Sequence, residues 1–348
     1  MIDLKSLLPG ELEEYMKSLG EARFRAGQVF SWLSKGAQSF DEMTNLSKQM
    51  REKIAGDSYI NTLRLLKKQV SALDGTIKYL WELRDGNAVE TVVMKYRHGC
   101  SVCISSQVGC RQGCAFCAST IGGLVRNLTA SEMLDEVMYS ERDSGEKISN
   151  IVIMGIGEPL DNWDNVLRFL RLANDPRGMN IGMRHITLST CGLTERFPEL
   201  ITQDMQLTLA VSLHAPDDET RSRLMPANRG RGIASLMDSC REYFDATGRR
   251  VTFEYAMING VNDSPEQADR LAQLAHRVGA HINLIPLNHV EEREFAPSTP
   301  ERMKAFCEVL DKRGANYTVR RRLGSDVDAS CGQLRRKREL AQEPDEKP

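Results

Sequence analysis

Hydrophobic and polar positions follow two different rhythms along the chain. Up to about residue 60 the apolar residues recur at steps of three and four in "GELEEYMKSLG", "RAGQVFSWLSKG" and "SFDEMTNLSKQMREKIAG", each closed by a glycine. That period predicts helices, and with them a small helical N-terminal domain over residues 1–60. In "LRLLKKQVSALDGTIKYLWELRDGNAVETVVMKY" the Asp74-Gly75 and Asp85-Gly86 pairs signal hairpin turns. We expect a β-rich extension over residues 61–95.

From residue 96 onward short apolar runs alternate with amphipathic stretches. The runs are "SVCISS", "NIVIMG", "HITLST", "LTLAVSLH", "VTFEYAMI", "HINLIPL" and "YTVRR". Between most of them lie "TASEMLDEVMYSERDSG", "NWDNVLRFLRLAN", "IASLMDSCREYFDATG", "SPEQADRLAQLAHRVGA" and "PERMKAFCEVLDKRGA". Strands alternating with helices at this spacing imply an α/β fold with a parallel sheet. The number of units predicts a partial (β/α)6-type barrel as the catalytic core over residues 96–338. The polar end, residues 339–348 with "AQEPDEKP", reads as a disordered tail.

Composition narrows the class. The formal net charge of −2 argues against a protein that coats nucleic acid. A local basic surface stays open, because Arg320, Arg321, Arg322, Arg335, Arg336, Lys337 and Arg338 crowd one region. A solvated charged face is the bland alternative. No apolar run approaches membrane-spanning length, and the N-terminus lacks the pattern of a signal peptide. Nine cysteines, an odd number, do not resemble a secreted disulfide framework, so we expect a cytoplasmic protein with reduced thiols and no membrane partner.

In parallel β/α barrels the loops after the strand C-termini build the active site. Here those loops carry the unusual residues: the cysteine segment after "SVCISS", "GIGEP", "STCG", "SLHAP" and "PLN". "QVGCRQGCAFCAST" places Cys110, Cys114 and Cys117 at gaps of three and two residues. Three thiolates on a [4Fe–4S] cluster leave one iron open for a substrate or cofactor. A zinc ion completed by His98 or a distant cysteine is the alternative, and with it a zinc-stabilised RNA-binding module. In "GIGEP" the glycines allow close backbone approach, and Glu158 can receive an ammonium group; the bland reading is a turn with a surface glutamate. Ser189, Ser212, Leu213, His214 and Asn288 fall on the same rim, where hydrogen bonds to a cofactor compete with ordinary capping or core roles. Cys103 and Cys331, taken singly, read as small buried hydrophobes, and Cys100, Cys191, Cys240 and Cys307 read the same way.

The Cys-x3-Cys-x2-Cys spacing with Phe116 before the last cysteine resembles the radical S-adenosylmethionine (radical SAM) superfamily. Together with "CISSQVGC", "GLVRNLTASE", "MGIGEPLDN", "ITLSTCG", "VSLHAPDDETR", "INLIPLN", "SDVDASCGQL" and the N-terminal "RAGQVFSWL" and "SFDEMTNLSK", it resembles the RlmN family of adenine C2 methyltransferases over roughly residues 20–335. The C8-methylating Cfr enzymes are the nearest alternative. The resemblance implies a cluster on Cys110, Cys114 and Cys117, with Gly157, Glu158, Ser189, Ser212, Leu213, His214 and Asn288 holding SAM. It implies two SAM molecules per turnover: one methylates Cys331, and the second yields a radical that activates that methyl group. The activated carbon adds to C2 of the adenine. Attack by Cys103 on the Cys331 sulfur then frees the RNA and leaves a transient disulfide, with Glu90 as proton acceptor. The implied partners are 23S rRNA in its peptidyl-transferase region, tRNA at the adenosine 3′ of the anticodon, a flavodoxin- or ferredoxin-type electron donor, and a thiol reductant.

Overall fold

The computed structural model describes residues 1–342 apart from 98, 289, 291, 322, 325 and 328–331. All seven apolar runs beyond residue 96 become strands: Gly99–Ile104, Ile148–Ile153, Ile186–Thr190, Thr208–Ser212, Thr252–Met257, His281–Pro286 and Tyr317–Val319. They pair in parallel in chain order, so each crossover helix returns the chain beside the strand it has just left. Burial alternates along Ile186–Thr190 and His281–Pro286, so one face of these strands packs into the core and the other is only partly covered.

The helix ends follow local chemistry. Thr129 and Ser264 each form a reciprocal cap with the Glu132 or Gln267 three residues on. Gly145, Gly248 and Gly279 stop three crossover helices in the left-handed conformation.

The stretch before the core is no separate linker in its pairing. Arg64–Val70, Ile77–Glu82 and Ala88–Tyr96 form an antiparallel meander, and Ala88–Tyr96 pairs directly with Gly99–Ile104. One sheet of ten strands results. Both expected turns occur, with Gly75 and Gly86 at positive φ.

The N-terminal helices are Pro9–Ser18, Phe24–Ser34 and Lys48–Ala55. The last expected helix is split: a 3-10 turn at Phe40–Glu42 is followed by a fresh start at Ser47, whose Oγ accepts the Met50 N–H. This module meets the core through buried Lys5, whose Nζ donates to Asp135 Oδ1 at 2.6 Å and to the Asn61 carbonyl at 2.9 Å. Gln333–Gln342, within the stretch read only as basic, forms a further helix. Among the described residues no helix is long and apolar enough to cross a membrane.

Candidate active site

The cysteine segment is framed by a small hairpin in which Gln107–Gly109 pairs with Leu124–Asn127. Gly109 is obligatory at its neck: its φ is +78°, and a Cβ there would lie 2.0 Å from the Gly123 carbonyl oxygen. Inside the loop the main chain is tied down at every cysteine. The Cys110 N–H donates to Gly123 O at 3.0 Å and the Ala115 N–H to Leu224 O at 2.8 Å. Thr120 Oγ1 donates to the carbonyls of Cys114 and Cys117, and Arg293 Nη2 donates to Cys117 O at 3.0 Å. With the backbone fixed, all three cysteines line one cavity.

That cavity also takes in Gly157, Glu158, Ser189, Ser212 and His214, so five of the seven expected cofactor positions converge on it. The other two stand apart. Leu213 is a fully buried core residue whose N–H donates to Glu254 O at 3.0 Å, and Asn288 is exposed and outside the cavity lining. Gly157 has φ of +112°, and a Cβ would come within 2.6 Å of Gln107 Cβ, so this position requires glycine for packing against Gln107 and Ser106.

Glu158 is buried, not a surface residue. Its Oε2 accepts the Cys191 N–H at 2.7 Å and its Oε1 the Leu160 N–H at 3.0 Å. Burial still pushes its carboxyl above the usual range, against the pull of those donors. A carboxylate in that state gains from a cation, and the ammonium of an amino-acid moiety fits. His214 has φ of +54°, uncommon outside glycine. Its Nδ1 accepts the Ala256 N–H at 2.9 Å, which fixes the proton on Nε2. Burial, and then Arg221, depress its pKa to about 3, so the ring is neutral. Phe116 packs edge-on against it at 5.0 Å.

Burial raises the Cys110 thiol to about 12 and Cys114 further, so a metal bound there would have to displace their protons. Among the described residues no three His, Cys, Asp or Glu are gathered closely enough to hold one metal ion, and that includes these three cysteines. His98 lies outside the described residues. Cys100 and Cys103 also read Cys-x-x-Cys, but they sit three apart on a strand and face opposite sides. Cys100 joins the main core, whereas Cys103 packs with Val92, Met94, Val152, Met154 and Leu323. Met154 lines the cavity too, which brings the Cys103 cluster to its wall.

Glu90 is not the solvent-facing strand carboxylate that its surroundings suggest. Its side chain is 2% exposed, with Lys78 Nζ 2.7 Å from Oε2. It also accepts the Gly332 N–H and the Arg335 N–H, both at 2.7 Å. Cys331 itself lies outside the described residues. Its neighbour Gly332 has φ of +83°, and a Cβ there would lie 2.8 Å from the Ser119 nitrogen, two residues past Cys117.

Sequence reasoning missed three residues here. Arg221 is buried and gives its donors to the carbonyls of Cys191, Ser212 and Leu213 and to Asn228 Oδ1, knitting the rim loops together. Glu254 and Cys191, the latter read as packing, both line the cavity. The "DETR" that carries Arg221 offers no local sign of burial; a strand-interior Glu in "TFEYAM" is the one signal that pointed to Glu254.

The basic residues do not form one exposed face. Arg320 lines the cavity, Arg335 is buried, Arg336 meets Glu292 at 3.1 Å and Arg338 meets Glu82 at 3.0 Å. Arg321 is exposed, and Arg322 lies outside the described residues.

The radical SAM superfamily model matches residues 104–272, and the ribosomal RNA large subunit methyltransferase N-terminal domain model matches residues 2–60. The chain is 52% identical over 336 residues to a protein of Alkaliphilus oremlandii named probable dual-specificity RNA methyltransferase RlmN, covering 97% of this chain and 98% of that one. It is 53% identical over 339 residues to the protein of the same name in Desulforamulus reducens, covering 97% of each. The crystal structure of a radical SAM methyltransferase from Sphaerobacter thermophilus superposes with a TM-score of 0.90 at 43% identity, covering 96% of this chain and 99% of that one.

Proposed function

The chain belongs to the RlmN family of radical SAM RNA methyltransferases, and from that premise we propose that it methylates C2 of an adenosine in 23S rRNA and in tRNA, using Cys331 as methyl carrier. The relatives' name, dual-specificity RNA methyltransferase, supports two RNA classes. The observation that carries the role of Cys331 is the seat of Gly332 against Ser119, which ties the residue next in chain to the end of the cysteine loop.

In this reading Cys110, Cys114 and Cys117 hold a [4Fe–4S] cluster, and Glu158 takes the ammonium of SAM. Gly157 allows close approach; Ser189, Ser212 and His214 hold the remainder, His214 through its Nε2–H. The bound cluster supplies the electron that splits SAM into methionine and a 5′-deoxyadenosyl radical.

The protein's own residues then carry the methyl group. The Cys331 thiolate first takes a methyl from one SAM by displacement. After a second SAM has been used to remove a hydrogen atom from that methyl, its carbon bonds to C2 of the adenine. Once the adduct has lost the C2 proton to Glu90 and one electron, for which the oxidised cluster would be the acceptor, the Cys103 thiolate attacks the Cys331 sulfur. The sulfur–carbon bond breaks, its electron pair stays on carbon and gains a proton, and methylated RNA leaves a Cys103–Cys331 disulfide. A thiol reductant resets the pair, and a flavodoxin- or ferredoxin-type protein feeds the cluster.

Peptide mass spectrometry of Cys331 after incubation of the iron-loaded enzyme with methyl-labelled SAM tests this. We expect a labelled methyl on Cys331 and 2-methyladenosine in digested RNA. An unmodified Cys331 on protein that still cleaves SAM would overturn the carrier role, and 8-methyladenosine would overturn the C2 assignment in favour of Cfr-like chemistry.

A further inference from the structure

Resting on the reading of Cys331 as methyl carrier, we propose that the buried Lys78–Glu90 pair is an anchor that fixes the position of the chain following Cys331, with Lys78 as a positioning residue and Glu90 having this role in addition to that of proton acceptor. Neither lines the cavity. What Glu90 touches is the start of the Gln333–Gln342 helix.

The first N–H groups of a helix have no partner within it, and a carboxylate at that end satisfies them and complements the dipole. Such caps ordinarily come from the neighbouring residue. Here the cap comes from 242 positions earlier: Glu90 Oε2 accepts from Gly332 and Oε1 from Arg335. Glu90 is itself held. Ser105 Oγ donates to its carbonyl at 2.9 Å, and Lys78, diagonal to it on the adjacent strand, reaches Oε2 at 2.7 Å. The Lys78 side chain is wholly buried, so this contact fixes the carboxylate in one orientation.

Two further contacts hold the same segment. Gly332 rests on Ala118 and Ser119 so closely that only glycine fits, and buried Leu334 packs on Leu80 and Ala88 of the same two strands. The carboxylate, the glycine seat and the apolar contact converge on residues 332–335 and all act on position.

The test uses the full-length, cluster-loaded enzyme with a 23S rRNA transcript spanning the peptidyl-transferase region. Lys78→Met removes the cation; Lys78→Met/Glu90→Gln removes both charges and carries the test should the single variant fail to fold. Three quantities are read: hydrogen exchange of the 332–338 peptide, methyl groups transferred per SAM cleaved to 5′-deoxyadenosine, and RNA–protein adduct on denaturing gels. We expect exchange in 332–338 to rise at least tenfold with barrel peptides unchanged. Methyl transfer per SAM cleaved should fall at least tenfold, without adduct build-up in Lys78→Met, which keeps the Glu90 carboxylate. Unchanged protection of 332–338 would overturn the anchor. Adduct accumulating with that protection intact would do so too, leaving Glu90 a proton acceptor alone. A wild-type enzyme without S-methyl-Cys331 would instead overturn the carrier reading, and the exchange result would still decide the anchor.

Discussion

Lys5–Asp135 and Lys78–Glu90 are nearly the same chemical object, with nitrogen–oxygen distances of 2.6 and 2.7 Å and side chains at most 2% exposed. They hold different things. In the first pair the carboxylate is filled by side chains, Lys5 and the Asn61 amide, and the contact fastens the N-terminal helices to the Ala130–Ser144 helix. Burial lifts Asp135 to about 6 against the pull of Lys5. In the second pair the carboxylate is filled by main-chain N–H groups of a distant segment. Taking two charges out of water is expensive, so neither pair is a ready source of stability. The contrast teaches that a buried ion pair is best read by what its remaining hydrogen bonds reach.

The sharpest way to break the comparison is Asp135→Ala, which strands Lys5 in a dry interior. We expect a loss of about 3–5 kcal/mol, the usual result of removing one partner of a buried pair, seen as a lower urea midpoint. Methyl transfer per SAM cleaved should hold steady in the folded fraction. A collapse of that ratio would show that both pairs serve the reaction.

A buried titratable group with no opposite charge sharpens the contrast. His214 binds a proton near pH 3 when folded and near about 6.5 when unfolded. Between those values the unfolded chain holds the extra proton, so its contribution is complete above about pH 6.5 and is lost as pH falls. At about 1.4 kcal/mol per pH unit the loss is about 2 kcal/mol between pH 6.5 and 5. His214→Asn, which keeps a residue tolerant of positive φ, should flatten the urea midpoint against pH over that range.

Gly332→Ala probes the second pair from its other side. The Cβ would press on Ser119 at a φ strained for alanine, so methyl transfer per SAM cleaved should drop about tenfold, equivalent to about 1.4 kcal/mol, with the urea midpoint lowered as well. Arg241→Ala supplies the lower limit: Arg241 and Asp245 are more than half exposed, and surface pairs contribute about 0–1 kcal/mol. A shift beyond that in thermal unfolding would mean that exposure is a poor guide to these ion pairs.

Much of this was legible in the sequence. The seven strands could be read because apolar runs bounded by polar loops carry their own period, and the cysteine loop because its spacing has few structural uses. The family resemblance named Glu90, but its burial and its pairing with Lys78 were not legible. In "TIKYLWE" and "AVETVVM" an alternating pattern puts a charged residue on the side expected to meet water. That side is instead covered by a helix whose sequence lies more than two hundred residues away, with Leu334 on Leu80 and Ala88. No local window contains that information. Arg221 escaped for the same reason, since its acceptors are carbonyls of three other loops. Asn288 shows the converse: a motif placed it on the rim, yet the fold leaves it outside the cavity lining.

The 242 positions between Glu90 and Gly332 also have a meaning in time. At the usual elongation rate of about 5–20 residues per second, a ribosome needs roughly 12–48 s to go from one to the other. Glu254, Ile285 and Arg320 of the cavity lining, and Arg293 that holds the Cys117 carbonyl, are made late in that interval. At the same rate only roughly 0.6–2.4 s separate Arg320 from Gly332, so the cavity and the segment that seats the proposed methyl carrier are completed almost together.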